Sequence, residues 1–544
     1  MKFIYESVNY LDELVDYNLF TSNAALVDAL RREGATSAHD RLRQLGTRLG
    51  TRAMFALGDA ANRNPPVLKL FDRFGSRRDE VEFHPAWHEL MRVLVAEGLH
   101  TSPWADPKPG AHVERAAAYL LWGEIENGTQ CPATMTYGAV PTLARQPADF
   151  GEWMPRLLSR EYDERLLPIA QKRGALMGMG MTEKQGGSDV RSNTTRAVAV
   201  GASGPGKEYR LTGHKWFFSA PMCDAFLVLA QTSGGLSCFF VPRVLPDGTR
   251  NNVYLQRLKD KLGNRSNASS EVEFDDTFGL LVGEEGRGIP TILEMGVFTR
   301  FDCATGAAGI MHQCVAQAVH HARHRSAFGR LLIDQPLMRN VLADLALECE
   351  AAIALALRLA RAFDAQQDEG EVALRRVLVP VAKYWICKRA PAVGVEAMEV
   401  LGGNGYIEEG PIARRFRELP LNSIWEGSGN IMCLDVLRAL SREPRTLDVL
   451  TMFLQRSGGR DARFDQYVAR LLDDLRGVGD EANARVLTER IALAAQASIL
   501  LEGGASSVAE SFISSRIATG APAVFGVLPA GLDHGALIER AFKL

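Results

Sequence analysis

Between Leu421 and Ile431 the chain reads Leu-Asn-Ser-Ile-Trp-Glu-Gly-Ser-Gly-Asn-Ile. One acid, Glu426, stands between an indole, Trp425, and a flexible Gly-Ser-Gly-Asn turn. The apolar run Ile431, Met432, Leu434, Val436 and Leu437 comes next at helical spacing and predicts a helix from about Asn430. Ser428 or Asn430 can cap that helix and leave its first N–H groups for an anion. The stretch thus offers a carboxylate base beside a phosphate or ribose cradle. The competing reading is a capped helix start with a surface glutamate.

Four further stretches carry candidate chemistry. Met181-Thr182-Glu183-Lys184-Gln185-Gly186-Gly187-Ser188-Asp189 pairs two hydroxyls with glycines that let backbone approach a ligand, and its N–H groups suit a pyrophosphate. Gly213-His214-Lys215-Trp216-Phe217-Phe218-Ser219 sets aromatic bodies before a hydroxyl, a wall and an edge contact for a planar ring. A Gly-Gly turn and a core strand are the plainer readings of these two. Arg325-Ser326-Ala327-Phe328-Gly329, with Gln335 beyond it, places a guanidinium near a helix end, which suits a diphosphate. Gly402, Gly403 and Gly405 end a helix and open its backbone to a ligand. His84 and His88, four apart, could share a metal. No third ligand lies near and Pro85 suits a first helical turn, so capping or packing is expected and no metal is assigned. His320, His321, Arg323 and His324 read as an exposed basic helix face.

The elements that must position these residues change rhythm along the chain. Residues 1–40 read as a packing arm, and 41–177 as helical, with Leu42, Leu45 and Leu49 in step and a break at Asn64-Pro65-Pro66. Residues 178–285 read as strands: Tyr209–Thr212, the buried run Ala225–Ala230, and a hairpin through Ser233-Gly234-Gly235. From 286 helices return. Leu345, Cys349, Ala352, Ala356 and Leu359 mark one helix face, a second long helix spans 371–401, and the whole to 444 predicts a four-helix bundle. Residues 445–544 form a further helical domain, largely helical to Gly520-Ala521-Pro522. The fold class is α+β, mainly α.

At 544 residues the chain exceeds one core, and its 46% apolar share is that of a globular protein. A net charge of −3 gives no global basic signal for nucleic acid. Eight scattered cysteines form no C-x-x-C pair, and Cys349 and Cys433 fall in apolar helical patterns, as reduced core residues do. Glu6, Asp12, Glu13 and Asp16 are wrong for a leader, and no run is long enough to span a membrane, so a cytoplasmic location is expected.

In their order and spacing the motifs resemble the acyl-CoA dehydrogenase family. Its T-E-P-x-x-G-S-D matches Thr182 to Asp189, with Lys184 for Pro. Its G-x-K-x-W-[IF]-[ST] matches Gly213 to Ser219, with Phe217 for Trp. R-x-x-F-G is Arg325 to Gly329, L-G-G-x-G is Leu401 to Gly405, and aromatic-E-G-[TS] is Trp425 to Ser428. The match is closer still to the family's branch tied to the adaptive response to DNA alkylation, and then covers nearly the whole chain. The resemblance implies non-covalent FAD between the β domain and the bundle of a homotetramer. It implies an FAD site of Met181, Thr182, Gly187, Ser188, Trp216, Phe217, Phe218, Ser219, Trp425, Ser428 and Asn430. Arg325, Phe328, Gln335, Gly402 and Gly403 would complete that site from a neighbouring subunit. Glu426 matches the family's base, and Thr299-Arg300 stands where some branches carry an alternative glutamate. For this branch the resemblance also implies double-stranded DNA as partner, bound chiefly through the C-terminal region, with weak isovaleryl-CoA-like dehydrogenation. Arg438 and Arg516 are the leading phosphate contacts, with Arg442, Arg445, Arg456, Arg460 and Arg463 beside them. The alternative is a metabolic acyl-CoA dehydrogenase feeding an electron-transfer flavoprotein.

Overall fold

The computed structural model describes residues 9–477, 480–503 and 505–543, so the start of the expected N-terminal arm lies outside the described residues. The chain divides into two compact units. One holds the N-terminal residues to Phe55, then 109–125 and 303–544; the other holds 56–108 and 126–302.

Asn64-Pro65-Pro66 in the second unit ends a helix, Arg52–Arg63, that begins in the first, as expected. Directly after it comes a hairpin that the sequence reading missed, β1 (Val67–Phe71) and β2 (Arg77–Glu82). Consecutive prolines remove donors and push the chain into extended geometry. Asp72 then closes the turn by accepting from the N–H groups of Phe74 and Ser76, both at 2.9 Å. Seven strands make the main sheet: β3 (Met177–Gly180), β4 (Arg196–Ala199), β5 (Glu208–Ser219), β6 (Ala225–Thr232), β7 (Gly235–Pro242), β8 (Val253–Leu258) and β9 (Ser269–Val282). Their order is β3-β5-β4-β6-β7-β9-β8, with β3 also pairing β6 and β5 also pairing β9. The expected hairpin is present, with Thr232 opposite Gly235 across Ser233-Gly234.

The first unit is helical. Its bundle holds α1 (Gly288–His324, from Cys303 onward), α2 (Pro336–Asp364), α3 (Glu369–Leu401) and α4 (Gly429–Arg442). Asp368 caps α3 by accepting from the N–H groups of Gly370 and Glu371 at 2.8 and 3.1 Å. The single apolar face expected for α2 is an underestimate. Nearly every residue from Leu342 to Ala360 is buried, which makes α2 a central helix. Carboxylates on two helices fasten the C-terminal segment: Arg540, on the last helix His534–Ala541, pairs with Glu350 of α2 at 2.6 Å and with Asp28 of the helix Ala24–Arg32 at 2.9 Å. All eight cysteines are buried and unbridged, as expected for Cys349 and Cys433.

Candidate active site

In the β unit the first two motifs are pinned together by charge. Glu183 and Lys215 form an ion pair of 2.7 Å with both side chains fully buried. Glu183 also accepts from Thr194 N–H at 2.6 Å, the Thr194 hydroxyl at 3.0 Å and Thr195 N–H at 3.2 Å. Burial raises the Glu183 carboxyl, but Lys215 and these donors outweigh it and bring it down to about 2. Burial pulls the Lys215 ammonium down to about 8 against the attraction of Glu183, so both groups are ionised at neutral pH. Trp216 N–H donates to the Thr182 carbonyl at 2.8 Å, and Asn193 holds the Met181 carbonyl at 2.9 Å. A Cβ on Gly187 would lie 2.4 Å from the Thr182 hydroxyl oxygen, so only glycine allows that approach. Ser188 at the loop's tip is exposed, and Ser219 at the strand end is half-buried.

The register of β5 against β9 decides where the aromatic residues point. Lys215 faces Val272 and Phe218 faces Ser270, so Trp216 and Phe217 together oppose Glu271 in a bulge. The bulge shifts the alternation by one residue. Phe218 therefore enters the core, its ring 4.4 Å from that of Phe226, and the expectation that its side chain lines a ligand site is corrected. Phe217 points outward and is 52% exposed. Trp216 departs from a bare wall as well: Lys259 lies 3.5 Å from its ring centroid, with Arg257 and Lys184 at 5.5 Å each. The sequence reading missed Glu183 and Lys215 as the tie between the loops, although opposite charges in the two motifs were a visible signal.

In the helical unit Glu426 is half-buried and left-handed (φ 58°), with Gly427 (φ 106°) after it. A left-handed non-glycine residue costs about 1–2 kcal/mol and persists where its surroundings impose it. Trp425 donates its indole N–H to the Asn422 side-chain oxygen at 2.9 Å, and the fully buried Lys383 ammonium donates to the Gly427 carbonyl. Ser428 occupies the N-cap position of α4, but its hydroxyl makes no capping bond. Asn430 does not cap either; its side-chain oxygen accepts from Arg485 at 2.8 Å. Gly402 (φ 60°) ends α3, and a Cβ on it or on Gly403 would meet nothing within 4 Å. Arg325 donates to the Asn9 carbonyl at 2.8 Å. Phe328 and Gly329 sit at the two-residue tip between β10 (Ser326–Ala327) and β11 (Arg330–Leu331), both with positive φ. That tip holds Phe328 99% exposed. Gln335 ties the tip down by donating to the Ala327 carbonyl at 3.0 Å.

The chain matches three family sequence models: "Adaptive response protein AidB N-terminal domain" over residues 9–164, "Acyl-CoA dehydrogenase, middle domain" over 178–277, and "Acyl-CoA dehydrogenase, C-terminal domain" over 286–441. It is 52% identical over 485 residues to "Putative acyl-CoA dehydrogenase AidB" of Escherichia coli, covering 89% of each chain. It belongs to the acyl-CoA dehydrogenase family. "Acyl-CoA dehydrogenase family member 11" of Caenorhabditis elegans is 27% identical over 97% of this chain and 87% of its own. The solved structure of Caenorhabditis elegans ACDH-11 in complex with C11-CoA superposes with a TM-score of 0.83 at 25% identity, over 99% of this chain and 94% of that one.

Membership makes this an FAD-dependent oxidoreductase of the acyl-CoA dehydrogenase type. The chain's own residues fit that cofactor. The Phe328 ring stands bare, Phe217 is half exposed, two glycines leave open space at a helix end, and Ser428 at the N-cap of α4 spends no capping bond on its N–H groups.

The arrangement also corrects several expectations. Arg516 is no phosphate contact: it is 1% exposed and pairs with Asp344 at 2.5 Å and Glu348 at 3.2 Å on α2. Arg463 pairs with Asp461 and Glu510, both at 2.6 Å, and Arg445 pairs with Glu369. Arg460 donates to the Leu501 carbonyl at 2.6 Å. Arg438, Arg442 and Arg456 are exposed. The supposed basic face at 320–324 is largely packed: His320 and His321 are buried, and Arg323 pairs with Glu539 at 2.6 Å. His84 caps the helix Pro85–Ala96, its ring nitrogen accepting from Ala86 N–H at 3.2 Å, and His88 pairs with Glu164 at 2.6 Å.

Proposed function

We propose an FAD flavoprotein that binds double-stranded DNA in the response to alkylation damage and retains weak dehydrogenation of short or branched acyl-CoA thioesters such as isovaleryl-CoA. The observation that carries the chemical half is the fixed left-handed pair Glu426-Gly427 at the head of α4. A carboxylate held this way removes the proton α to a thioester carbonyl, and bound FAD supplies the hydride acceptor for the β carbon. Loss of that proton and of a β hydride to the cofactor would leave a 2-enoyl thioester. Phe217 would wall the flavin, with Thr182 and Ser219 on its polar edge. Ser188 and Ser428 would hold its phosphate and sugar, and Arg325, Phe328, Gln335, Gly402 and Gly403 of a neighbouring subunit would complete the site.

The DNA half is supported by the likeness to AidB and by Arg438 and Arg442, exposed and one helical turn apart on α4. A homotetramer in the cytoplasm is part of the same reading; no helix among the described residues is long and apolar enough to cross a membrane. The acyl-CoA seen with the nematode relative favours a second reading, a metabolic dehydrogenase.

An anaerobic titration of the yellow protein with isovaleryl-CoA and straight-chain acyl-CoAs separates the two, run with and without duplex DNA at two salt concentrations. Slow flavin bleaching with salt-sensitive DNA binding is expected. Fast bleaching without DNA binding overturns the proposal in favour of the metabolic enzyme.

A further inference from the structure

We propose that Lys383 is the positioning residue of the proposed base, holding the Glu426-Gly427 turn and placing a positive charge beside it. The inference rests on the reading of Glu426 as the base. Lys383 lies midway along α3, inside a stretch in which every residue from Val377 to Cys387 is buried, and its own side chain is fully buried. No carboxylate pairs with it among the described residues. Its ammonium donates to the carbonyl of Gly427, the residue directly after Glu426. Charge taken out of water without a counter-charge opposes folding, and methionine of similar length would fill the same space without that cost. A lysine here therefore contributes something other than stability.

The turn it grips shows what that contribution is. Glu426 and Gly427 are successive left-handed residues, and Gly427 is packed so closely that a Cβ on it would lie 2.4 Å from the Met432 terminal methyl carbon. Trp425 anchors the N-terminal side through Asn422, and the Ser428 carbonyl leads into α4 by accepting from Met432 N–H at 3.0 Å. Between these anchors, Lys383 is the side chain that grips the Gly427 peptide. Releasing that carbonyl frees the peptide to rotate and lets Glu426 leave the orientation its chemistry needs.

The test uses the holoprotein with isovaleryl-CoA as probe and compares Lys383→Met, Lys383→Arg and Glu426→Gln. For Lys383→Met, a 10- to 100-fold slower flavin bleaching is expected, with KM within threefold, full FAD content and an unfolding midpoint equal to or above wild type. Lys383→Arg should recover part of the rate. Amide exchange in the peptide spanning 421–432 should accelerate in Lys383→Met. Unchanged bleaching or exchange in Lys383→Met overturns the proposal, and so does a rate that falls only in proportion to lost FAD. Glu426→Gln separates the two failures: if it still bleaches, the base is misassigned whatever Lys383 does. If it is dead while Lys383→Met runs at full rate, only the role of Lys383 fails.

Discussion

At the scale of residues, the proposed base lies where the backbone is left-handed. Glu426 differs from Asp435 within α4 because the chain reverses hand at it, and the reversal is held by neighbours rather than by its own preference. Glu426→Gln should abolish acyl-CoA oxidation and leave the protein yellow; persisting flavin bleaching would assign the proton to another group. Gly427→Ala is expected to be worse than a point change on a loop, since it meets both a φ of 106° and the Met432 methyl. A loss of about 1–3 kcal/mol of stability, read by denaturant unfolding, is expected together with lost activity. Arg516 is the reverse case, a residue of plausible chemistry that works as a structural tie. Arg516→Glu would set a third carboxylate against Asp344 and Glu348, and should cost at least about 3–5 kcal/mol. A soluble Arg516→Glu protein of wild-type stability that had lost only DNA binding would restore Arg516 as a contact.

At the scale of elements, β5 and α4 each carry part of the proposed chemistry. The bulge in β5 turns Phe217 out and Phe218 in, and the Glu183–Lys215 pair fixes the loop beside it. Glu183 falls from its ordinary 4.5 to about 2 on folding, so the unfolded chain binds the proton more readily. Its contribution to stability is complete above pH 4.5 and is lost as pH falls toward 2. His112 acts in the same direction over a higher window: burial, with Arg115 and Arg375, lowers it from 6.5 to about 3. Stability should therefore decline as pH drops from about 6.5, and Glu183→Gln should flatten the portion below 4.5 while lowering the midpoint at neutral pH. A midpoint curve identical to wild type would deny the pair this role. On α4, Arg438→Glu with Arg442→Glu should weaken duplex binding with FAD retained. The slope of log affinity against log salt should fall by about 2, the value for two lost phosphate contacts. An unchanged slope would place the contacts elsewhere.

At the scale of the whole molecule, the proposed tetramer and the FAD site are one claim, because the segments with Phe328 and with Gly402-Gly403 are assigned to a neighbour's cofactor. A ligand bound only by the folded assembly stabilises it by mass action, by about 2.7 kcal/mol at a hundredfold excess over Kd. The unfolding midpoint should rise with added FAD and with protein concentration. Independence from protein concentration would count against the shared site. The fully exposed Phe328 is the physical reason to expect the dependence, since an isolated phenyl ring at a hairpin tip has nothing of its own chain to pack against.

Much of this protein is legible in its amino acids taken alone. Local periodicity marked the helices from 336 onward and the strands from Tyr209 to Thr232, because side-chain spacing and burial share one rhythm in a regular element. The ordered motifs marked the family, and with it the cofactor, because those spacings answer to one ligand. Tertiary structure alone decided the rest. A bulge depends on the partner strand, so nothing within Trp216-Phe217-Phe218 tells which ring is buried. An arginine's role depends on what lies opposite, and Asp344 and Glu348, which take Arg516 out of solvent, lie far from it in the chain. Lys383 and Glu183 stayed hidden for the same reason: their roles are set by groups that only folding brings to them.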